Sequence, residues 1–344
     1  MKIFYAATHS QHNPAFEVFD GGRRVPYLEN PDRMEKILAA LRQTDWAEFS
    51  APSDFGLAPI ESAHDEDYLN FLATCWDEWQ TSDPQISAAP QEHPFLPATF
   101  ALRRTPRKPV TLLAKGGYYL MDLSACIVQG TYRAALGSAN CALSAAEFAA
   151  NENARAFALC RPPGHHAGRD YAAGYCFLNN AAIAANFLSA RGRVAVLDID
   201  YHAGNGTQDI FYERADVLTI SIHADPQFEY PHFIGFADEI GAGAGRGFHR
   251  NFPLAAGATD AQYLAALDEA LSVIHAFAPR YLVLSAGMDT FSGDPLGTFQ
   301  LTRAGFAEIG KRIAALALPA AIVMEGGYAN AALGENIKTL LESF

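Results

Sequence analysis

The chain has 344 residues, half of them hydrophobic and 18% charged, with a formal net charge of −13 and a pI near 5.2. That composition excludes a disordered chain and fits one large α/β domain, residues 1–344, carrying an insertion. An acidic surface repels nucleic acid and anionic membranes and mildly favours cationic ligands. Charge alone is a weak guide, because many soluble enzymes are acidic. Cys75, Cys126, Cys141, Cys160 and Cys176 are scattered without CxxC spacing. They fit reduced thiols in a cytoplasmic protein better than disulfides or a cysteine-ligated zinc. The amino terminus turns polar too soon for a signal peptide, and no apolar run is long enough to span a bilayer, so a soluble protein is expected.

In chain order, residues 2–7 read as an opening strand, and residues 33–42 and 67–79 carry apolar residues near helical spacing. In the second of these, Tyr68, Leu69, Leu72, Cys75, Trp76 and Trp79 form one broad face, read as core. From Thr81 to Pro109, six prolines leave little room for regular structure, and Arg103, Arg104, Arg107 and Lys108 add a basic cluster. A loop of this length inside a compact domain is usually functional or mobile. From residue 131 the alternation becomes regular. Helices are predicted over 131–150, 179–189, 260–277 and 302–316, and at the C-terminus. Strands are predicted over 156–159, 193–197, 217–222, 281–284 and 320–324. Strands that are apolar along their whole length, alternating with helices, imply a parallel sheet covered on both faces. In such sheets the active site lies beyond the carboxyl ends of the strands.

Four clusters stand just there. After the strand at 193–197 comes Asp198-Ile199-Asp200-Tyr201-His202-Ala203-Gly204-Asn205-Gly206. Residues two apart at a strand end start on one face. Mixed carboxylate and imidazole donors suit zinc or a first-row relative. Taken alone, the cluster reads equally well as a structural turn. After 156–159 comes Arg161-Pro162-Pro163-Gly164-His165-His166. Adjacent histidines in such a loop are candidate acid and base groups, and a solvated pair is the alternative. Asp289 follows the strand at 281–284 within Gly287-Met288-Asp289-Thr290-Phe291-Ser292-Gly293-Asp294-Pro295-Leu296-Gly297. Tyr328 follows 320–324 within Glu325-Gly326-Gly327-Tyr328. As an isolated feature Tyr328 would read as packing. The argument lies in the agreement of the four on one sheet edge. Two carboxylates and one imidazole leave a zinc position open, as catalytic sites do.

The order RPPGHHAG, DIDYHAGNGTQD, GMDTFSGDPLG, EGGY resembles the arginase–deacetylase superfamily, specifically the histone deacetylase-like amidohydrolases. GGRRVPYLENPDR, HDEDYLNFL, RRTPR and GTQDIFYER make the chain look most like the acetylpolyamine amidohydrolases within it. The resemblance implies the arginase/deacetylase fold and hydrolysis of N-acetylated polyamines or diamines to free amine and acetate. It implies zinc, or ferrous iron, on Asp200, His202 and Asp289. His165, held by Asp198, and His166, held by Asn205, would accept and deliver protons, and Tyr328 would donate to the oxyanion. A carboxylate partner favours imidazolium more than an amide does, so His166 is expected to have the lower pKa. The resemblance also implies a potassium ion near Asp198, Asp200, His202, Ser221 and Ile222. Gly174, Tyr175, Phe233 and Gly326 would contact substrate. The Pro-rich loop at 81–109 would build a homodimer with a narrowed channel.

Two departures from the family pattern stand out. Position 203 is Ala where many members carry histidine. A glutamate expected shortly before a GYY sequence is missing from Leu112-Leu113-Ala114-Lys115-Gly116-Gly117-Tyr118-Tyr119; Glu17, Asp20 and Glu92 are other carboxylates within reach of the same role. The competing readings are an acyl-lysine deacetylase, a deacetylase of another small acylated amine, an arginase-like dimanganese hydrolase, and a catalytically dead binding protein.

Overall fold

The computed structural model describes residues 1–19, 22–101 and 107–344, so Asp20, Arg103, Arg104 and Pro106 lie outside the described residues. Ten strands occur among the described residues. The first five are β1 (Lys2–Tyr5), β2 (Glu17–Phe19), β3 (Arg23–Val25), β4 (Glu48–Ser50) and β5 (Arg155–Leu159). The others are β6 (Val194–Asp198), β7 (Val217–Ala224), β8 (His249–Leu254), β9 (Tyr281–Ala286) and β10 (Ala320–Met324). β2 and β3 pair antiparallel as a separate ribbon. The other eight form one sheet in the order β4-β1-β5-β10-β9-β6-β7-β8, every pair parallel.

Burial explains the sheet's composition. Every residue of β6, β7, β9 and β10 is buried. Successive side chains point to opposite faces, so burial at every position means that both faces are covered. Each buried Leu, Ile or Val there contributes about 1.5–3 kcal/mol of transfer free energy. Helices Thr131–Glu152 and Asn180–Ser189 pack on each other and on the central strands. A second row runs from Asp32–Leu41 to Asn330–Leu341, Arg303–Ala314 and Asp260–Phe277, each packed on the next. This is the parallel α/β architecture expected, and the long helices fall within a few residues of their predicted bounds.

The differences are local. The opening strand stops at Tyr5. The Pro-rich segment is not wholly irregular. Residues Pro84–Ala88 form a short helix, begun by proline and capped by Asp83, which accepts from the Gln85 N–H. β8 is mixed in polarity and contains Pro253, which suits its place at the sheet edge. Glu48–Ser50 is the opposite edge and equally short of apolar pattern.

The topology gathers the site. The four sequence clusters follow β5, β6, β9 and β10, and these are four adjacent strands in the middle of the sheet, in the order β5-β10-β9-β6. Their registers are level: Asp198 sits opposite Ser285, and Met324 opposite Ala286. The loops therefore leave the sheet side by side.

Candidate active site

β6 ends at Asp198, and the next two alternate residues are Asp200 and His202. The loop after β9 brings Asp289 to them. Donor atoms of Asp200, His202 and Asp289 all lie within 4.8 Å of one another; the two carboxylates are fully buried and the His202 side chain is 12% exposed. The His202 Nδ1 is 3.1 Å from Asp289 Oδ2 and 3.3 Å from Asp200 Oδ1. Backbone donors fix the carboxylates: Gly326 N–H to Asp200 Oδ2 at 2.8 Å and Tyr201 N–H to Asp289 Oδ1 at 2.8 Å. A β-carbon at position 326 would stand 2.4 Å from Asp289 Oδ2 and 2.6 Å from Asp200 Oδ2, so only glycine fits there.

The electrostatics of the trio favour a cation. Burial and the repulsion of Asp200 push the Asp289 carboxyl up to about 7. Burial works against the Asp200 charge too, yet His165 and His202 hold that carboxyl well below its usual range. Burial disfavours the His202 imidazolium, but Asp200 and Asp289 outweigh it and raise the ring to about 10. Two buried carboxylates crowded on one imidazole form a donor set short of positive charge, which a divalent ion fits.

The loop after β5 places the histidine pair beside the trio, with ring centroids 3.9 Å apart. The His165 Nδ1 lies 2.9 Å from Asp198 Oδ2, and the His166 Nδ1 lies 2.7 Å from Asn205 Oδ1. Burial lowers both rings. For His165 the carboxylates of Asp200 and Asp198 overcome it and raise the ring well above the ordinary histidine value. His166 has burial followed by repulsion from His165 and His202, and stays well below that value. The expected order of the two therefore matches the electrostatics of the metal-free site.

A cavity of about 510 Å³ opens onto the group, lined by His166, Gly174, Tyr175, His202 and Tyr328. Gly174 has φ +48°, and a β-carbon there would meet the His166 ring at 2.4 Å. Tyr175 donates its hydroxyl hydrogen to Glu17 at 2.6 Å and lies 5.6 Å, centroid to centroid, from Tyr328. Burial and the neighbouring tyrosine push the Tyr328 hydroxyl well above its usual value, against the opposing pull of Arg33, so it is a donor across the neutral range. Ser221 is the β7 register partner of Asp198, and Ile222 next to it is buried.

Phe233 does not join them. Its side chain is 89% exposed and it is not among the residues lining the cavity. The wall place belongs to Tyr230, whose ring lies 5.0 Å from His166 and whose hydroxyl donates to Asp122 at 2.6 Å. The family resemblance along this loop points three positions further on, to Phe233. The residue before Pro231, held out of the helical region, was the available signal. Glu325 opens the EGGY run after β10. It accepts from Gly164 N–H at 2.7 Å and His165 N–H at 3.2 Å, tying the Tyr328 loop to the histidine loop.

Comparison with known proteins gives the family. The chain is 44% identical to acetylpolyamine amidohydrolase 2 of Pseudomonas aeruginosa, covering 100% of this chain and 98% of that protein. It is 42% identical to the acetylpolyamine amidohydrolase of Mycoplana ramosa, covering 99% of each. The crystal structure of acetylpolyamine aminohydrolase from Burkholderia pseudomallei superposes with a TM-score of 0.94 at 41% identity, over 100% of this chain and 98% of that one. These neighbours share the arginase/deacetylase fold and belong to a metal-dependent class of enzymes. With a histone deacetylase domain matched over residues 27–344, the chain belongs to the histone deacetylase domain family and is an enzyme of the deacetylase, or amidohydrolase, type.

Proposed function

We propose that this enzyme removes the acetyl group from small N-acetylated amines, polyamines or diamines, with zinc, or ferrous iron in its place, held by Asp200, His202 and Asp289. The observation that carries the reading is the meeting of that trio, two differently partnered histidines and one tyrosine hydroxyl around a single cavity. A divalent ion bound there supplies Lewis acidity to an amide carbonyl and lowers the pKa of water. The chain's own residues do the rest. His166 faces the cavity and is held neutral, so it is the group that accepts a proton and returns it to the departing amine. His165 stands beside it with its Nδ1 2.9 Å from Asp198 Oδ2, a carboxylate partner that favours imidazolium. Tyr328 donates to the carbonyl oxygen as negative charge develops there.

The walls support a slender cationic substrate. Tyr175 and Tyr230 line the cavity together with Phe19 and Phe100, and the carboxylates Asp122 and Glu229 line it too. Among the described residues no lysine or arginine does. Asp122 and Glu229 thus offer the negative charge that the missing glutamate would have given to a distant ammonium. The names of the relatives point the same way. Potassium beside Asp198 and Ser221, a cytoplasmic location, and a homodimer formed through residues 81–109 belong to the same proposal. Phe100, half-exposed at the cavity rim, supports the dimer, and a monomer in sedimentation would overturn it. Among the described residues, no helix is long and apolar enough to cross a membrane.

The substrate is tested by comparing hydrolysis of N-acetylcadaverine, N8-acetylspermidine and an acetyl-lysine peptide by the zinc-loaded protein. The small amines should be hydrolysed faster. Preference for the peptide would overturn the substrate assignment, and so would activity on none of the three, which would leave the reaction type standing.

A further inference from the structure

Tyr328 stands on a loop held by hydrogen bonds to other segments. Gly326 and Gly327 precede it, the second with φ +125°, a conformation that favours glycine. Among the described residues the Tyr328 hydroxyl makes no hydrogen bond to protein, so its direction is set through its backbone.

That backbone is gripped from two sides. On one, the Arg33 guanidinium donates to the Gly327 carbonyl at 2.6 Å and to the Glu325 carbonyl at 2.7 Å. On the other stands Asp294, 5% exposed. Its Oδ2 accepts the N–H groups of Tyr328 at 2.6 Å and Ala329 at 2.8 Å. Its Oδ1 accepts the Leu296 N–H at 3.0 Å. Leu296 and Tyr328 both line the cavity. Asp294 also lies on the loop that carries Asp289. A single buried carboxylate thus ties the oxyanion tyrosine to the loop that supplies a metal-ligand candidate. Charged acceptors of N–H groups are stronger and shorter than neutral ones, which suits a part that must hold distance.

We infer that Asp294 is a positioning residue for the reaction, fixing the separation between the Tyr328 hydroxyl and the Asp289 side of the site. The inference rests on the reading of Tyr328 as the oxyanion donor. The plainer role would be to cap helix Asn330–Leu341, whose first turn follows Ala329. Capping alone would alter stability and leave turnover untouched.

A double-mutant cycle separates the two. Asp294→Ala, assayed as the zinc-loaded protein on an N-acetylated diamine, should lower kcat about 10- to 100-fold with KM little changed, as expected for a misplaced reacting group. Asp294→Asn, whose amide oxygen can still accept the Tyr328 and Ala329 N–H groups while its NH2 group loses the Leu296 N–H, should fall between it and the wild type. Combined with Tyr328→Phe, either substitution should cost nothing further, because the group it positions is already gone. A readout free of catalysis is hydrogen exchange: residues 326–329 should exchange faster in Asp294→Ala, with the segment at 198–202 unchanged. Should Asp294→Ala fail to fold, the cycle runs on Asp294→Asn. If Tyr328→Phe is low and the Asp294 losses multiply with it, or if kcat is normal while stability drops, the inference is overturned and the reading of Tyr328 stands. If Tyr328→Phe turns over normally, that reading falls and the inference falls with it.

Discussion

The floor of the cavity and its rim are built in opposite ways. The floor comes from four strand-end loops locked to one another by buried hydrogen bonds: His165 to Asp198, His166 to Asn205, Gly326 to Asp200, Glu325 to Gly164. The rim comes from segments outside the alternating pattern, the β2–β3 ribbon and the stretches around Phe100, Met121 and His232, several of them exposed. The difference teaches where chemistry and selectivity reside. Reaction type depends on groups that cannot move, and substrate choice on groups that the fold leaves free to vary.

The largest effect expected lies on the floor. Tyr328→Phe should keep binding its substrate and lose on the order of 100- to 1,000-fold in turnover; near-normal turnover would remove the oxyanion donor from the account. A rim substitution should behave differently. Phe100→Ala is expected to raise KM for the small amines about 10-fold with kcat near the wild-type value, the consequence of losing part of one aromatic contact. Equal changes in kcat and KM would erase the division between floor and rim.

Smaller effects sharpen the electrostatics. In the metal-free protein, ring titration by NMR should show His166 neutral at pH values where His165 is still protonated; the reverse order would contradict the roles of Asp198 and Asn205. Under the floor, His64 is wholly buried, its Nδ1–H donating to the Gly168 carbonyl at 2.8 Å and its Nε2 accepting from the Asn179 N–H at 2.9 Å. Burial lowers this ring from 6.5 to about 4. A folded-state value below the unfolded one means that stability is fully present above pH 6.5 and drains away as pH falls towards 4. The loss should be on the order of 3 kcal/mol for this ring. Urea midpoints across that window should fall in the wild type and fall less in His64→Gln.

The same contrast explains what the sequence made legible. Apolar runs such as 281–284 and 320–324 are buried on both faces, so their composition announces them, and the polar residues that follow must be at the sheet's edge. The floor could therefore be read residue by residue. The rim could not. Tyr230 was hidden because the loop at 225–235 has no periodicity, and the family resemblance along it points to Phe233, which is exposed. Asp294 and Glu325 were visible as letters, but their hydrogen bonds run to backbone atoms of other residues, and no spacing rule reveals such partners. The helix Asn205–Phe211 was likewise concealed, because its first residues read as a glycine-rich turn.

The most direct test of the account is a metal titration. The protein is stripped with a chelator, zinc is returned in counted equivalents, and acetate released from N-acetylcadaverine is measured at each step. A plateau at about one ion per chain is the predicted result, because the proposed trio of Asp200, His202 and Asp289 offers three donors to one ion. Hydrolysis that survives removal of the metal, or that needs two ions per chain, would contradict it.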